Sequence, residues 1–238
     1  MPPENPHRFP DTRITLLKRS LNAADPKSLD ALDELCRLYE PPVLAWLRTH
    51  VADPHAVEDL RQSFFVKILH QEAFAAALEP GVSLRAVLLG RLRYHYLDYL
   101  RSIHRGRRDQ TDSLDSMETG DREKIEPSHT QTADKEFHNQ WRLTMLKAAV
   151  QAEREKRLSK GMSAQDFAEI LDCVFKQNTA LQKDVAARIG MDAEEMKQAV
   201  FRLREAIGKT LRSLVADTLV EPTESEIDAE IDCLETPY

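Results

Sequence analysis

Glycine and aromatic residues are scarce in this chain, at 7 glycines in 238 residues and 6% aromatics. Such a composition points away from an architecture of many strands and turns. Cysteine is scarce as well. Cys36, Cys173 and Cys233 are odd in number, far apart and without CxxC or CxxxH spacing. That disfavours a disulfide framework or a zinc module and suits a reducing interior. No stretch approaches the roughly 18 apolar residues of a spanning helix. The start, Met-Pro-Pro-Glu-Asn-Pro, lacks the basic and apolar segments of a signal peptide. A cytoplasmic chain with no membrane insertion is therefore expected. The chain also has no glycine loop for a nucleotide and no serine or cysteine in a nucleophile motif. His50 and His55 lack the shared-face spacing of metal ligands. No enzyme, cofactor or metal is expected.

What remains is a charged, helix-forming chain. Hydrophobic residues make up 42% and charged residues 31%, and long stretches of Ala, Leu, Arg, Glu and Gln favour helices. The expected class is all-α. The net charge of -7 is unevenly divided: between Ala216 and Tyr238 there are eight acids and no Lys or Arg, which leaves the rest of the chain at +1. Between Arg85 and Arg108, seven arginines (85, 91, 93, 101, 105, 107, 108) stand against the single acid Asp98. Such a run suits a polyanion, although a solvated helix face carries the same signature.

Periodicity predicts a first helix carrying Ile14, Leu17 and Leu21 and a second over 28–39 with Leu29, Leu32, Leu35, Cys36 and Tyr39. Pro41-Pro42 is expected to kink or restart the chain into 43–51, and Asp53-Pro54 marks the next start. Helices over 55–71 and 83–103 complete a bundle. From about 106 to 134 the pattern dissolves into Asp, Ser, Thr, Glu and Gln, as in a flexible acidic linker. Helices resume over 137–157, 163–176, 181–189 and 193–214.

The strongest local signal is the run from Leu181 to Leu211. Val185, Ala186, Ile189, Gly190, Met191, Met196 and Ala199 reproduce a helix-turn-helix: small Ala186 lets two helices cross, and Gly190 sits where the turn needs a left-handed backbone. Asp192 and Glu195 have capping-box spacing. Met196, Val200, Leu203, Ile207, Leu211 and Leu214 form one apolar seam of the second helix. On its other side Lys197, Gln198 and Arg202 are candidate readers of base edges, and Arg204, Lys209 and Arg212 candidate phosphate contacts. An ordinary amphipathic helix would have the same seam, and the acids at its start predict weak DNA affinity for this domain alone.

Two further faces stand out. In the helix over 55–71, Val57, Leu60, Phe64 and Ile68 make a core stripe, while Asp59, Gln62, Val66 and Leu69 form a mixed patch opposite. That patch suits a protein partner, or else an extra core contact. In the next helix Leu88, Leu92, Tyr96 and Tyr99 share one side, with His95 as a core histidine. Arg91, Tyr94 and Arg101 gather on another side with Asp98 among them, an interleaving that suits single-stranded nucleic acid unless the tyrosines are structural.

The order of these segments resembles a bacterial RNA polymerase sigma factor of the sigma-70 superfamily, extracytoplasmic-function type. The resemblance covers about Ile14 to Arg108 and Phe137 to Leu214. It lies in Leu38-Tyr39-Glu40-Pro41-Pro42-Val43 with Trp46-Leu47-Arg48, in Val57-Glu58-Asp59-Leu60-Arg61-Gln62-Ser63-Phe64-Phe65, in Leu97-Asp98-Tyr99-Leu100-Arg101, and in the helix-turn-helix ending Phe201-Arg202-Leu203-Arg204. It implies a leader over 1–11, a region 2 helical bundle over 12–105, a flexible acidic linker over 106–136, a region 4 helix-turn-helix domain over 137–215 and an acidic tail over 216–238. The partners implied are core RNA polymerase, docking at Asp59, Gln62, Val66 and Leu69, and promoter DNA. The melted -10 element falls to Arg91, Tyr94, Arg101 and Arg105; the duplex -35 element falls to Lys197, Gln198, Arg202, Arg204, Lys209 and Arg212. The family leaves room for an anti-sigma factor or another regulator.

The linker is longer and more acidic than a minimal connection, and the tail extends past the usual end of region 4. An anionic tail beside a DNA-binding helix could cover basic surface until a partner displaces it, or simply be solvated or locally packed. Two other readings stay open: a helix-turn-helix repressor or activator acting without polymerase, and a helical adaptor that binds protein only.

Overall fold

The computed structural model describes residues 28–70, 78–79, 82–111 and 127–235, together with Pro26. The expected helix around Ile14, Leu17 and Leu21 lies outside the described residues, as does the middle of the expected linker. Every regular element among the described residues is a helix and none is a strand. The helices are α1 (Ser28–His50), α2 (Pro54–His70), α3 (Leu84–Thr111), α4 (Pro127–Leu158), α5 (Ala164–Lys176), α6 (Thr179–Ile189), α7 (Ala193–Ala216) and α8 (Glu224–Glu235). They fall into two compact units, one of Met1–Arg142 with Asp217–Tyr238 and the other of Leu143–Ala216.

The first unit is built on α1, α2 and α3. In α1, Leu35, Tyr39, Val43, Trp46 and Leu47 recur at helical spacing and are all buried. The helix is continuous through Pro41 and Pro42, so the chain does not restart there. Each proline removes an N–H donor and disfavours the helical region for the residue before it. Burial of side chains in the turns on both sides of the pair outweighs that local penalty. The helix α2 starts on Asp53, whose Oδ1 accepts from the His55 N–H at 3.0 Å, with Pro54 in the first helical position, where no N–H is needed. Its stripe of Val57, Leu60, Phe64 and Ile68 is buried. Each such side chain contributes roughly 1.5–3 kcal/mol. Ser83 opens α3, its Oγ accepting from the Ala86 N–H at 3.3 Å, and Leu84, Leu88, Leu89 and Leu92 are buried behind it.

Helical structure reaches further than periodicity predicts. α3 continues to Thr111 and α4 begins at Pro127, so 106–111 and 127–136 are helical although they were read as linker. Ala133, Phe137 and Trp141 of α4 are buried, which explains why that stretch is ordered despite its polar composition. The acidic tail is ordered too: Thr218, Leu219, Ile227 and Glu230 are buried, and α8 starts with a box in which Thr223 and Glu226 bond reciprocally.

The second unit is a helix-turn-helix with its supporting helices. Phe167, Ile170, Cys173, Val174, Val185, Ala186, Met196, Val200, Leu203 and Ile207 close one core. The expected seam of α7 is its floor, fully buried from Met196 to Ile207 and half-buried at Leu211 and Leu214. Glu153 of α4 is buried yet satisfied, by Thr210 Oγ1 at 2.9 Å and Lys156 Nζ at 3.3 Å. The turn has the expected chemistry. Gly190 takes φ 79° and ψ 30°, and its N–H and that of Met191 both donate to the Ala186 carbonyl at 2.9 Å.

A Cβ added at Gly190 would meet nothing within 4 Å, so substitution there tests the backbone alone. Gly190→Ala should lower the stability of this unit by about 1–2 kcal/mol, the penalty of a left-handed residue with a Cβ. The measurement is the shift in denaturant midpoint at unchanged slope.

Candidate functional site

Three exposed surfaces follow from these folds, two on the first unit and one on the second. On α2, burial of the Val57–Ile68 stripe leaves Asp59, Gln62 and Val66 in solvent, with Val66 52% exposed. Val66 is thus an apolar side chain left in water beside polar ones. The side chain of Leu69 lies outside the described residues. The patch is braced from beside: Arg61 donates to Glu58 Oε2 at 2.9 Å and to Glu40 Oε1 at 2.6 Å, and Gln62 Nε2 donates to Glu58 Oε1 at 2.8 Å. These hydrogen bonds pull the Glu58 carboxyl down to about 2, so this edge of the patch stays anionic.

On α3, Arg91, Tyr94, Asp98, Arg101 and Arg105 lie within an arc of roughly 80° at about 100° per residue. All are exposed, Tyr94 at 69%. Arg101 pairs with Asp98 at 3.1 Å, and Arg105 Nε donates to the Arg101 carbonyl at 3.4 Å. An exposed pair of this kind contributes little and is readily exchanged for a phosphate. Behind the stripe His95 is buried as expected, its Nε2 2.9 Å from Ser63 Oγ, and burial lowers its pKa.

The seven arginines of this segment do not act together. Arg93 turns to Asp134 of α4, whose Oδ1 also accepts from Trp46 Nε1 at 3.0 Å. Arg85, only 9% exposed, donates from Nη2 to Glu230 Oε2 at 2.6 Å and from Nη1 to His138 Nδ1 at 2.6 Å. Its guanidinium carbon lies 5.1 Å from the Trp141 ring centroid. Arg85 is thus a buried structural group and Arg93 an exposed one already paired, so the charge run is not one uniform polyanion surface. The partners Asp134, His138 and Glu230 carried no sequence signal, since they stand 41, 53 and 145 positions away. The side chains of Arg107 and Arg108 lie outside the described residues.

In the second unit Asp192 Oδ1 accepts from the N–H groups of Glu194 and Glu195 at 2.8 Å, and Asp192 N–H donates to Glu195 Oε2 at 2.9 Å. This reciprocal box starts α7 where the sequence placed a helix start. Lys197, Gln198, Arg202 and Lys209 are exposed on α7, while Arg212 is half-buried. Glu194 lies 3.6 Å from Lys197, Arg202 donates to Gln198 Oε1 at 3.1 Å, and Lys209 pairs with Glu205 at 2.7 Å. Arg204 donates to the Val174 carbonyl at 3.2 Å, satisfying one of the orphan acceptors at the end of α5. It therefore serves the domain's own packing. Phe201, 65% exposed, sits among these groups and borders a groove of about 290 Å³ with Gln177, Gln182, Lys197, Val200 and Arg204.

The Arg85 site makes the first unit acid-sensitive. Burial, with the neighbouring Arg85 guanidinium, pushes the His138 imidazole down to about 4 from its ordinary 6.5. The unfolded chain therefore takes up this proton first as pH falls, and the associated stability is complete above about 6.5 and declines towards pH 4. Denaturant titrations at pH 7.5 and pH 5 should show a loss in the wild type that is smaller in His138→Gln. Among the described residues, no helix is long and apolar enough to cross a membrane. No protein-family model, curated protein or solved structure matches the chain.

Proposed function

We propose that this chain is a sigma factor, a dissociable subunit that directs bacterial core RNA polymerase to particular promoters in the cytoplasm and assists strand opening. It has no catalytic chemistry of its own, because the polymerase makes the RNA. On this reading Asp59, Gln62, Val66 and Leu69 dock on the polymerase. Arg91, Tyr94, Arg101 and Arg105 engage the melted -10 strand, with bases stacking on Tyr94 and arginines following the phosphates. Lys197, Gln198 and Arg202 face base edges of the duplex -35 element, and Arg204, Lys209 and Arg212 its phosphates.

The observation that carries this reading is the exposed arginine–tyrosine stripe on α3, which follows directly on the mixed Asp59–Gln62–Val66 face of α2. A repressor needs the helix-turn-helix but has no use for a single-strand surface. The acids Glu194 and Glu195 at the head of α7 also argue against strong binding by that unit alone; two weak binders on one chain gain affinity through effective concentration. The completeness of the helix-turn-helix with its own core favours a second reading, a repressor or activator that binds duplex DNA as a dimer without polymerase.

Run-off transcription with core polymerase on a genomic promoter library separates the two. Wild type should yield new transcripts that Asp59→Ala/Gln62→Ala abolishes, and duplex binding independent of polymerase would instead support the repressor. Arg202→Ala should weaken promoter binding by about 1–3 kcal/mol and relax a single -35 position. A uniform loss across promoter variants would make Arg202 a phosphate contact.

A further inference from the structure

The buried site around Arg85 joins three segments of the first unit that are distant in sequence. Arg85 lies in the first turn of α3, His138 and Trp141 in α4, and Glu230 in the tail helix α8. The arginine and the glutamate are almost wholly withdrawn from water, with side chains 10% and 11% exposed. Glu230 Oε2 accepts from both Nε at 3.2 Å and Nη2 at 2.6 Å, while His138 Nδ1 accepts from Nη1 and Trp141 contributes its ring. A cation at a helix N-terminus opposes the helix dipole. Arg85 can be buried there only because a carboxylate is supplied from elsewhere.

Arg85 sits roughly 120° around α3 from Arg91, at about 100° per residue. The tail thus grips α3 on a different side from the exposed stripe, and Arg91, Tyr94, Arg101 and Arg105 all stay in solvent. Within this unit the tail is locally packed. The buried Thr218, Leu219 and Ile227 likewise describe a segment built into the unit.

We propose that the C-terminal helix is a positioning element for the nucleic-acid surface of α3, with Glu230 acting through Arg85 to hold the start of that helix. Without the carboxylate the guanidinium is a buried, incompletely paired charge and is driven towards water. Leu84 and Leu88 lose their seat with it, and the first turns of α3 loosen. The stripe begins less than two turns further on. A surface that stacks a base on Tyr94 while arginines meet phosphates needs a rigid helix, so loosening should weaken strand capture and leave -35 recognition on the second unit intact.

The proposal rests on reading α3 as the -10 strand surface, and two measurements keep the two ideas apart. The first is hydrogen exchange on the full-length chain. Glu230→Gln should lower protection of amides in the first three turns of α3 by at least about tenfold, the scale expected for breaking a buried pair. Amides of α7 should not change. The second uses polymerase holoenzyme with the non-template -10 strand of a promoter recovered by run-off transcription. Binding should fall at least about fivefold, with binding of the -35 duplex unchanged. If Glu230→Gln does not fold, Glu230→Asp carries both readouts, in the same direction and by smaller amounts. Unchanged exchange in α3, or strand binding that stays level or rises, would overturn the proposal. A wild-type holoenzyme that captures no strand would overturn the function assigned to α3, and the exchange experiment would still decide the anchoring.

Discussion

A guanidinium out of water at the positive end of a helix dipole is among the more demanding groups a fold can contain, and much of the first unit is arranged around one. Arg85 has Glu230 on two of its nitrogens, His138 on a third and the Trp141 ring nearby. Each partner imposes a condition elsewhere. Glu230 requires α8 to form and dock, and His138 must remain neutral, which burial and the adjacent cation enforce. The stretch that looks in isolation like a solvated tail is helical and carries Glu230.

The same arrangement sorts the basic charge of α3 by face. Arg85 is buried against Glu230 and Arg93, itself exposed, pairs with Asp134, whereas Arg91, Arg101 and Arg105 stay outward around Tyr94. Of the five arginines of the run whose side chains are described, three thereby form a narrow stripe with an aromatic centre, whose acid, Asp98, makes an exposed pair. Asp134 links this sorting to the core of α1, since it also accepts the indole N–H of Trp46. Trp46 in turn stacks on His50 at 3.9 Å and meets the edge of Tyr96 at 5.6 Å. Tyr96 and Tyr99, half-buried, are thus packing residues, and Tyr94 is the exposed aromatic of that helix.

In the second unit the demands are local. Its turn depends on Gly190 in a left-handed conformation, and α7 depends on the Asp192–Glu195 box for its first turn. Once these are satisfied, the seam from Met196 to Ile207 closes the core and the opposite side is left to solvent by default. Glu195 is therefore a cap as well as a surface charge. Arg204, which bonds the end of α5, has a similar double role.

Much of this was legible in the sequence because its causes lie within a few residues of each other. Helical class, the buried stripe of α2, the turn at Gly190, the box at Asp192 and the outward set on α7 all follow from periodicity and capping chemistry within one or two turns. The exposed Asp59, Gln62 and Val66 follow as the complement of that stripe. The tertiary structure alone decided that α1 continues through Pro41-Pro42, that α4 begins at Pro127, that Arg85 is buried in a site of its own and that the acidic tail belongs to the first unit. In each case the deciding energy comes from contacts between residues far apart in the chain, such as Arg85 and Glu230. Which faces meet is a property of the packed fold, and no short window of sequence contains both partners.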